Sequence, residues 1–186
     1  MIVASSLSNL NKVAKQHEPS HVLTLLSPDG VEPALQLNVP QERHLTLRFH
    51  DIIEGRPGLI EPNSEMIRAI LDFGHTWTTA RPMLIHCWAG ISRSSAAAFL
   101  MACERNNGYE HDIANELRRL APFATPNRLM VALADDLLGR GGRMVEAVDR
   151  IGRGVDAFEG EPYELSIHWQ NSSRVRPFRS DSSRPT

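Results

Sequence analysis

The sequence predicts an α/β fold with a mostly parallel central sheet flanked by helices. Three observations carry that expectation. Short apolar runs alternate with stretches of helical periodicity from Ile2 to Ile151. One run, Met83-Leu84-Ile85, passes through a tight loop directly into an Ala-rich helical stretch. The chain has 186 residues, enough to bury a core of one domain with an appendage.

The elements follow in chain order. Ile2-Val3-Ala4 reads as a first strand. Leu7, Leu10 and Ala14 share a helical face with Val13 beside them, and Glu18-Pro19-Ser20 ends that helix. His21 to Leu26 is apolar and β-branched enough for a buried strand, and Ser27-Pro28-Asp29-Gly30 is a turn. Val31 to Glu42 reads as loop with room for one short helical turn. Leu45, Leu47 and Phe49 alternate with polar residues, which makes His44 to Phe49 a strand. Gly55, Pro57 and Gly58 make Glu54 to Leu59 a loop.

Met66, Ile70, Phe73 and Trp77 set a helix over Asn63 to Trp77, capped by Asn63 or Ser64. Past the Met83 strand, Ala96, Phe99, Leu100 and Cys103 give the next helix its core face, stopped by Asn106-Asn107-Gly108. Ile113, Leu117 and Leu120 mark another, ended by Pro122. Thr125-Pro126 reads as the cap and first position of a helix carrying Leu129, Leu133 and Leu137. Met144, Val148 and Ile151 extend the helical pattern past Gly141-Gly142. The composition then shifts, which predicts a globular domain over 1–158 and a disordered basic tail over 159–186. Arg174, Arg176, Arg179 and Arg184 face one acid, Asp181, over its last sixteen positions.

Bulk properties exclude several classes. Twenty basic and 22 acidic residues leave a formal charge of −2, so nothing in the charge balance asks for nucleic acid or a membrane surface. Two cysteines, Cys87 and Cys103, make no disulfide framework, and a reducing compartment suits a working thiol. The N-terminus lacks the basic and long apolar parts of a signal peptide, and no apolar run approaches ~18 residues. A cytoplasmic location is the expectation. His17 and His21 are four apart, but Pro19 between them works against a shared helical face, so neither a metal nor another cofactor is expected.

The chemistry concentrates in His86-Cys87-Trp88-Ala89-Gly90-Ile91-Ser92-Arg93-Ser94. A strand, a tight loop and a helix form an anion cradle, because loop N–H groups and the helix N-terminus point at one spot. Cys87 heads the loop and Arg93 closes it six positions later. The positive helix end and the guanidinium both favour the thiolate of Cys87. Arg93 offers a planar fork that fits two phosphate oxygens. Gly90 lets the backbone curl towards a ligand. Trp88, Ala89, Gly90, Ile91, Ser92 and Arg93 are therefore the candidate substrate-binding residues.

This stretch resembles the signature loop of the cysteine-dependent protein tyrosine phosphatases: His, Cys, two variable residues, Gly, two variable residues, Arg, then Ser or Thr. The resemblance is tight over 82–101, weaker over 44–81 and 108–140, and absent from the tail. It points to the dual-specificity-like members and to small bacterial tyrosine phosphatases, with their protein-tyrosine-phosphatase-like fold. It implies hydrolysis of phosphate monoesters, phosphotyrosine foremost, through a phosphocysteine intermediate on Cys87. The substrate would be a phosphorylated protein or a small phosphoester. The loop interior holds no Lys or Arg, whereas lipid-directed relatives tend to meet charged phosphoinositides with basic residues there.

Cleavage through a thiolate also needs a group that protonates the leaving oxygen and then activates water. Ligands of open α/β sheets sit beyond the carboxyl ends of strands, and Asp51 follows such an end, as Cys87 does. The resemblance implies a general acid some thirty to forty residues before the nucleophile; 87 minus 51 is 36. Asp51 is the first choice, with Glu54 and Asp29 in reserve, Asp29 being better explained by its turn. The Ser94 hydroxyl is placed to serve the thiolate, or to cap the new helix. By resemblance His86 braces the loop, and Thr125-Pro126-Asn127 matches a Pro-Asn segment that would give Asn127 a supporting role.

Two rival readings remain. A rhodanese-type sulfurtransferase also uses a Cys-headed loop but needs neither His86, nor an upstream Asp, nor the Arg-Ser pair. The second is a phosphate-binding module without turnover, against which the intact pair of Cys87 and Arg93 counts.

Overall fold

A computed structural model describes residues 1–31, 34–36 and 39–169. Five strands form one sheet in the order β3-β2-β4-β1-β5. They are β1 (Ile2–Ser6), β2 (His21–Leu26), β3 (His44–Arg48), β4 (Met83–Cys87) and β5 (Tyr163–Leu165). The first four run parallel, and β5 joins β1 antiparallel at the edge. The helices are α1 (Leu10–His17), α2 (Ser64–Thr76), α3 (Arg93–Arg105), α4 (Glu110–Leu120), α5 (Arg128–Leu137) and α6 (Arg143–Ile151), with a 3₁₀ turn at Gln41–Arg43. This is the predicted α/β architecture, with a mostly parallel sheet between helices.

Strand alternation assigns each face. Val3, Val22 and Leu84 point to one side and pack with Leu10, Val13 and Ala14 of α1. Ile2, Ala4, Leu23, Leu25, Met83, Ile85 and Cys87 point to the other and join the larger core under α2 to α6. A sheet covered on both faces needs continuous apolar strands, and β1, β2 and β4 are buried at every position. α3 runs through the centre of the larger layer, buried from Arg93 to Cys103. Its Ala96-Ala97-Ala98 run lets the helix lie close to the sheet. That packing fixes the N-terminus of α3 directly after the end of β4.

Two expectations need correction. The boundary at residue 158 does not hold, because β5 lies inside the segment expected to be disordered. Tyr163 and Leu165 are buried while Glu164 between them is exposed, a three-residue alternation too short to read as a strand in the sequence. The open edge of β1 supplies the missing signal, since its unpaired backbone groups recruit this segment. Residues 170–186, where the rest of the tail expectation falls, lie outside the described residues. The second correction concerns α5, which starts at Arg128 with Asn127, not Thr125, as its cap. The Thr125 N–H is engaged by Ile91 O at 3.0 Å, and its Oγ1 accepts from Gly154 N–H at 3.1 Å. Asn127 Oδ1 accepts from Met130 N–H at 3.0 Å, the usual N-cap bond.

Candidate active site

β4 delivers Cys87 at its carboxyl end, and the chain turns through Trp88 to Ser92 into α3. Four of the five carbonyls of that turn point outward to a backbone partner. Trp88 O accepts from Leu7 N–H at 3.1 Å, Ala89 O from Gly160 N–H at 2.8 Å, Ile91 O from Thr125 N–H at 3.0 Å and Ser92 O from Ala96 N–H at 2.9 Å. Carbonyls turned out leave amides turned in, which is the geometry of an anion-binding nest. Gly90 N–H already points at Cys87 Sγ, 3.3 Å away.

Gly90 has φ +73°, and a Cβ there would stand 2.7 Å from Ser6 N and 2.9 Å from Ser5 C. Both are backbone atoms of β1, so the neighbour cannot yield. Gly90→Ala combines left-handed strain of about 1–2 kcal/mol with that clash. It is expected to lower Tm by roughly 4 °C or more and to cut turnover of an aryl phosphate at least tenfold. A variant with unchanged Tm and rate would mean that the loop does not depend on this close approach.

Cys87 is 2% exposed. Ser94 Oγ stands 3.2 Å from its Sγ, within reach for a hydroxyl-to-sulfur hydrogen bond. Ser94 makes no helix cap: the cap position of α3 is Ser92, and its side chain caps nothing. The Arg93 side chain is buried and held by Nη1, which donates to Phe49 O at 2.8 Å and Ser27 Oγ at 3.4 Å. Its Nε, also buried, has no hydrogen-bond partner. Native interiors rarely leave such a donor unsatisfied.

Asp51 is brought to the same place. Its Oδ1 accepts from Ser92 Oγ at 2.7 Å and from Asn127 Nδ2 at 2.8 Å, and Asn127 Nδ2 also reaches Ile52 O at 3.2 Å. Its Oδ2 lies 3.9 Å from Arg93 Nε. One carboxylate oxygen is thus anchored while the other faces the guanidinium. Among the described residues no hydrogen bond or ion pair joins Glu54 or Asp29 to the Cys87 loop; both are exposed, Asp29 in the Ser27–Gly30 turn. His86 Nε2 lies 2.8 Å from Thr24 Oγ1, which is itself 2.8 Å from His44 Nε2. That chain ties β4, β2 and β3 together just before Cys87.

Several contributors were not legible in the sequence. Ser92 anchors Asp51, Phe49 O and Ser27 hold Arg93, and β5 ties to the first turn of α3. The buried Tyr163 hydroxyl donates to Ser95 Oγ at 3.1 Å in the first turn of α3. Burial pushes its phenol well above the ordinary value, and the nearby Cys87 adds to that. Only a pattern longer than three residues would have exposed β5.

The two thiols differ. Cys103 is fully buried in the last turn of α3, and burial, aided by Glu110, pushes its thiol well up. Ten helical residues separate it from Arg93, about 15 Å at ~1.5 Å each. Iodoacetamide on the native protein is therefore expected to label Cys87 and spare Cys103, with inorganic phosphate slowing the reaction. Peptide mass spectrometry showing equal labelling, or a Cys87–Cys103 crosslink after peroxide, would contradict this.

The fold is that of the cysteine-dependent dual-specificity phosphatases, as solved structures show at low sequence identity. DUSP15 superposes with a TM-score of 0.55 at 15% identity over 81% of this chain and 92% of that one. The Yvh1 phosphatase domain from Chaetomium thermophilum gives 0.53 at 18%, over 75% and 91%. PTPMT1 in complex with PI(5)P gives 0.53 at 12%, over 79% and 90%. No protein-family model and no curated protein matches the chain.

Proposed function

We propose that this chain hydrolyses phosphate monoesters, phosphotyrosine foremost, through a phosphocysteine intermediate on Cys87. The observation that carries the reading is the unsatisfied buried Nε of Arg93 at the end of a loop whose Gly90 N–H points at Cys87 Sγ. A phosphate dianion would satisfy that donor, and the neighbouring folds are those of phosphatases.

The phosphate oxygens lie against the amides of Trp88 to Arg93 and the free edge of the guanidinium. The Cys87 thiolate attacks phosphorus in line, forming the S–P bond as the P–O bond to the leaving group breaks. Asp51 gives that oxygen its proton from Oδ2, while Ser92 and Asn127 hold Oδ1. In the second step Asp51, now a carboxylate, takes a proton from water attacking phosphorus. The S–P bond breaks, and the Ser94 hydroxyl donates to the departing thiolate. His86 and Asn127 are positioning residues in this scheme.

Asp51→Asn is expected to lower turnover by ~10² or more, the usual scale for a lost general acid. The loss should be largest for phosphoserine, whose alkoxide leaves poorly without a proton, and smaller for p-nitrophenyl phosphate. Equal losses for both leaving groups, with an unchanged pH profile, would make Asp51 structural and turn attention to Glu54.

The substrate is a phosphorylated protein or small phosphoester. The bare interior of the loop favours phosphotyrosine over the PI(5)P bound by PTPMT1. No helix of the described residues is long and apolar enough to cross a membrane; two unpaired thiols support a reducing, cytoplasmic setting. Globular-domain residues extend in this reading through Trp169. The testing experiment is an assay with excess chelator across a phosphotyrosine peptide, a phosphoserine peptide, PI(5)P and thiosulfate. Turnover of the phosphotyrosine peptide, with an acid-trapped phosphoenzyme mapping to Cys87, is expected. Thiosulfate sulfur transfer without phosphate release would establish the rhodanese-type reading instead.

A further inference from the structure

Beside the Cys87 loop lies a second concavity that the phosphate chemistry leaves unused. It encloses about 240 Å³ and is lined by Leu7, Ser8, Trp88, Ala89, Phe158 and Glu159. Trp88 and Ala89 belong to both places, so an occupant rests against the outer wall of the loop that grips the phosphate. Trp88 and Phe158 meet edge to face, with ring centroids 5.6 Å apart and planes at 76°. They are 57% and 82% exposed, and an exposed aromatic pair at the rim of a pocket marks a contact surface. The segment carrying Phe158 is fixed by its backbone: Val155 N–H donates to Pro122 O at 3.0 Å and Gly160 N–H to Ala89 O at 2.8 Å.

The charge there is one-sided. Glu159 is the single charged side chain of the lining. Hydrogen bonds from Ser6 and Ser8 hold its carboxyl below the usual range, and the Ser8 hydroxyl donates to Oε1. The nearest basic residue of the segment, Arg153, is already paired with Asp156. Glu161 adds a further acid two positions on. Two exposed aromatic side chains and a carboxylate in one lining match a long aliphatic stem ending in a cation.

We infer that this concavity takes the side chain of an arginine or lysine that neighbours the phosphorylated residue in a peptide substrate. Trp88 and Phe158 cover the stem, and Glu159 pairs with the head. The inference rests on the phosphatase reading of the Cys87 loop and adds to it a sequence preference.

The test uses phosphotyrosine peptides in which one flanking position at a time carries arginine or norleucine, which keeps the stem and removes the charge. Arginine at one position is expected to raise kcat/KM about tenfold over norleucine. Glu159→Gln should erase that gain while leaving p-nitrophenyl phosphate turnover unchanged. The Cys87→Ser protein, titrated with the same peptides by tryptophan fluorescence, should show the same preference in Kd without turnover. If the wild type fails to hydrolyse p-nitrophenyl phosphate, the catalytic reading falls, and the ratio of the two Kd values still decides the subsite. A flat profile, a preference for norleucine, or an arginine preference that survives Glu159→Gln overturns the inference.

Discussion

Cys87→Ser is expected to abolish turnover, by ~10⁴-fold or more, the scale on which removal of a covalent nucleophile is felt. The hydroxyl fills nearly the same volume but stays protonated at neutral pH, and is a far weaker nucleophile towards phosphorus than a thiolate. The fold should not notice. The site of Cys87 Sγ is polar, with Gly90 N–H and Ser94 Oγ 3.3 and 3.2 Å away, and a hydroxyl accepts and donates there equally well. Tm should stay within about 2 °C of wild type, and inorganic phosphate should still bind, because the cradle of amides and Arg93 is untouched. Residual activity above a tenth of wild type, a deficit of less than ~1.4 kcal/mol in the barrier, would remove the covalent mechanism.

Arg93→Lys is the second large effect, a loss of ~10² to 10³ in kcat on the scale of a missing oxyanion donor. The charge is kept, so a result near wild type would show that charge alone suffices. The geometry argues otherwise. Nη1 of Arg93 is committed to Phe49 O and Ser27 Oγ, and Phe49 lies 5.9 Å beneath the guanidinium. Only a fork can hold those contacts and still present Nε towards the phosphate. An ammonium must choose between the anchor and the ligand. The variant should therefore lose phosphate affinity as well as rate, in contrast to Cys87→Ser. Isothermal titration with inorganic phosphate separates the two cases.

The legible part of this protein was local. A strand-loop-helix with Cys87, Gly90 and Arg93 at fixed spacing specifies its own geometry, because loop amides and helix end converge without help from distant residues. Strand alternation in Leu45, Leu47 and Phe49 and helical spacing in Met66, Ile70 and Phe73 likewise act through nearest neighbours. The order of the parallel strands brings Asp51 to the Cys87 loop, and the rule about carboxyl strand ends, joined to the spacing that the resemblance implies, was what nominated it over Glu54 and Asp29.

What the chain could not announce was set by partners distant in sequence. β5 exists because β1 has an open edge, and three residues carry no period of their own. Asn127 became the cap of α5 because the Thr125 N–H and hydroxyl are drawn to Ile91 O and Gly154 N–H. The anchoring of Asp51 by Ser92 and Asn127, 41 and 76 positions away, and of Arg93 by Phe49 O depends on which loops pack together. Backbone and hydroxyl partners of this kind leave no mark on composition or spacing. They are chosen when buried polar groups find their partners in the folded protein. By itself the sequence determined the strand-loop-helix that carries Cys87 and Arg93 and the sheet it leaves from; the tertiary structure alone decided how the Asp51 carboxyl and the Arg93 guanidinium are aimed, since aim comes from contacts that exist only after packing.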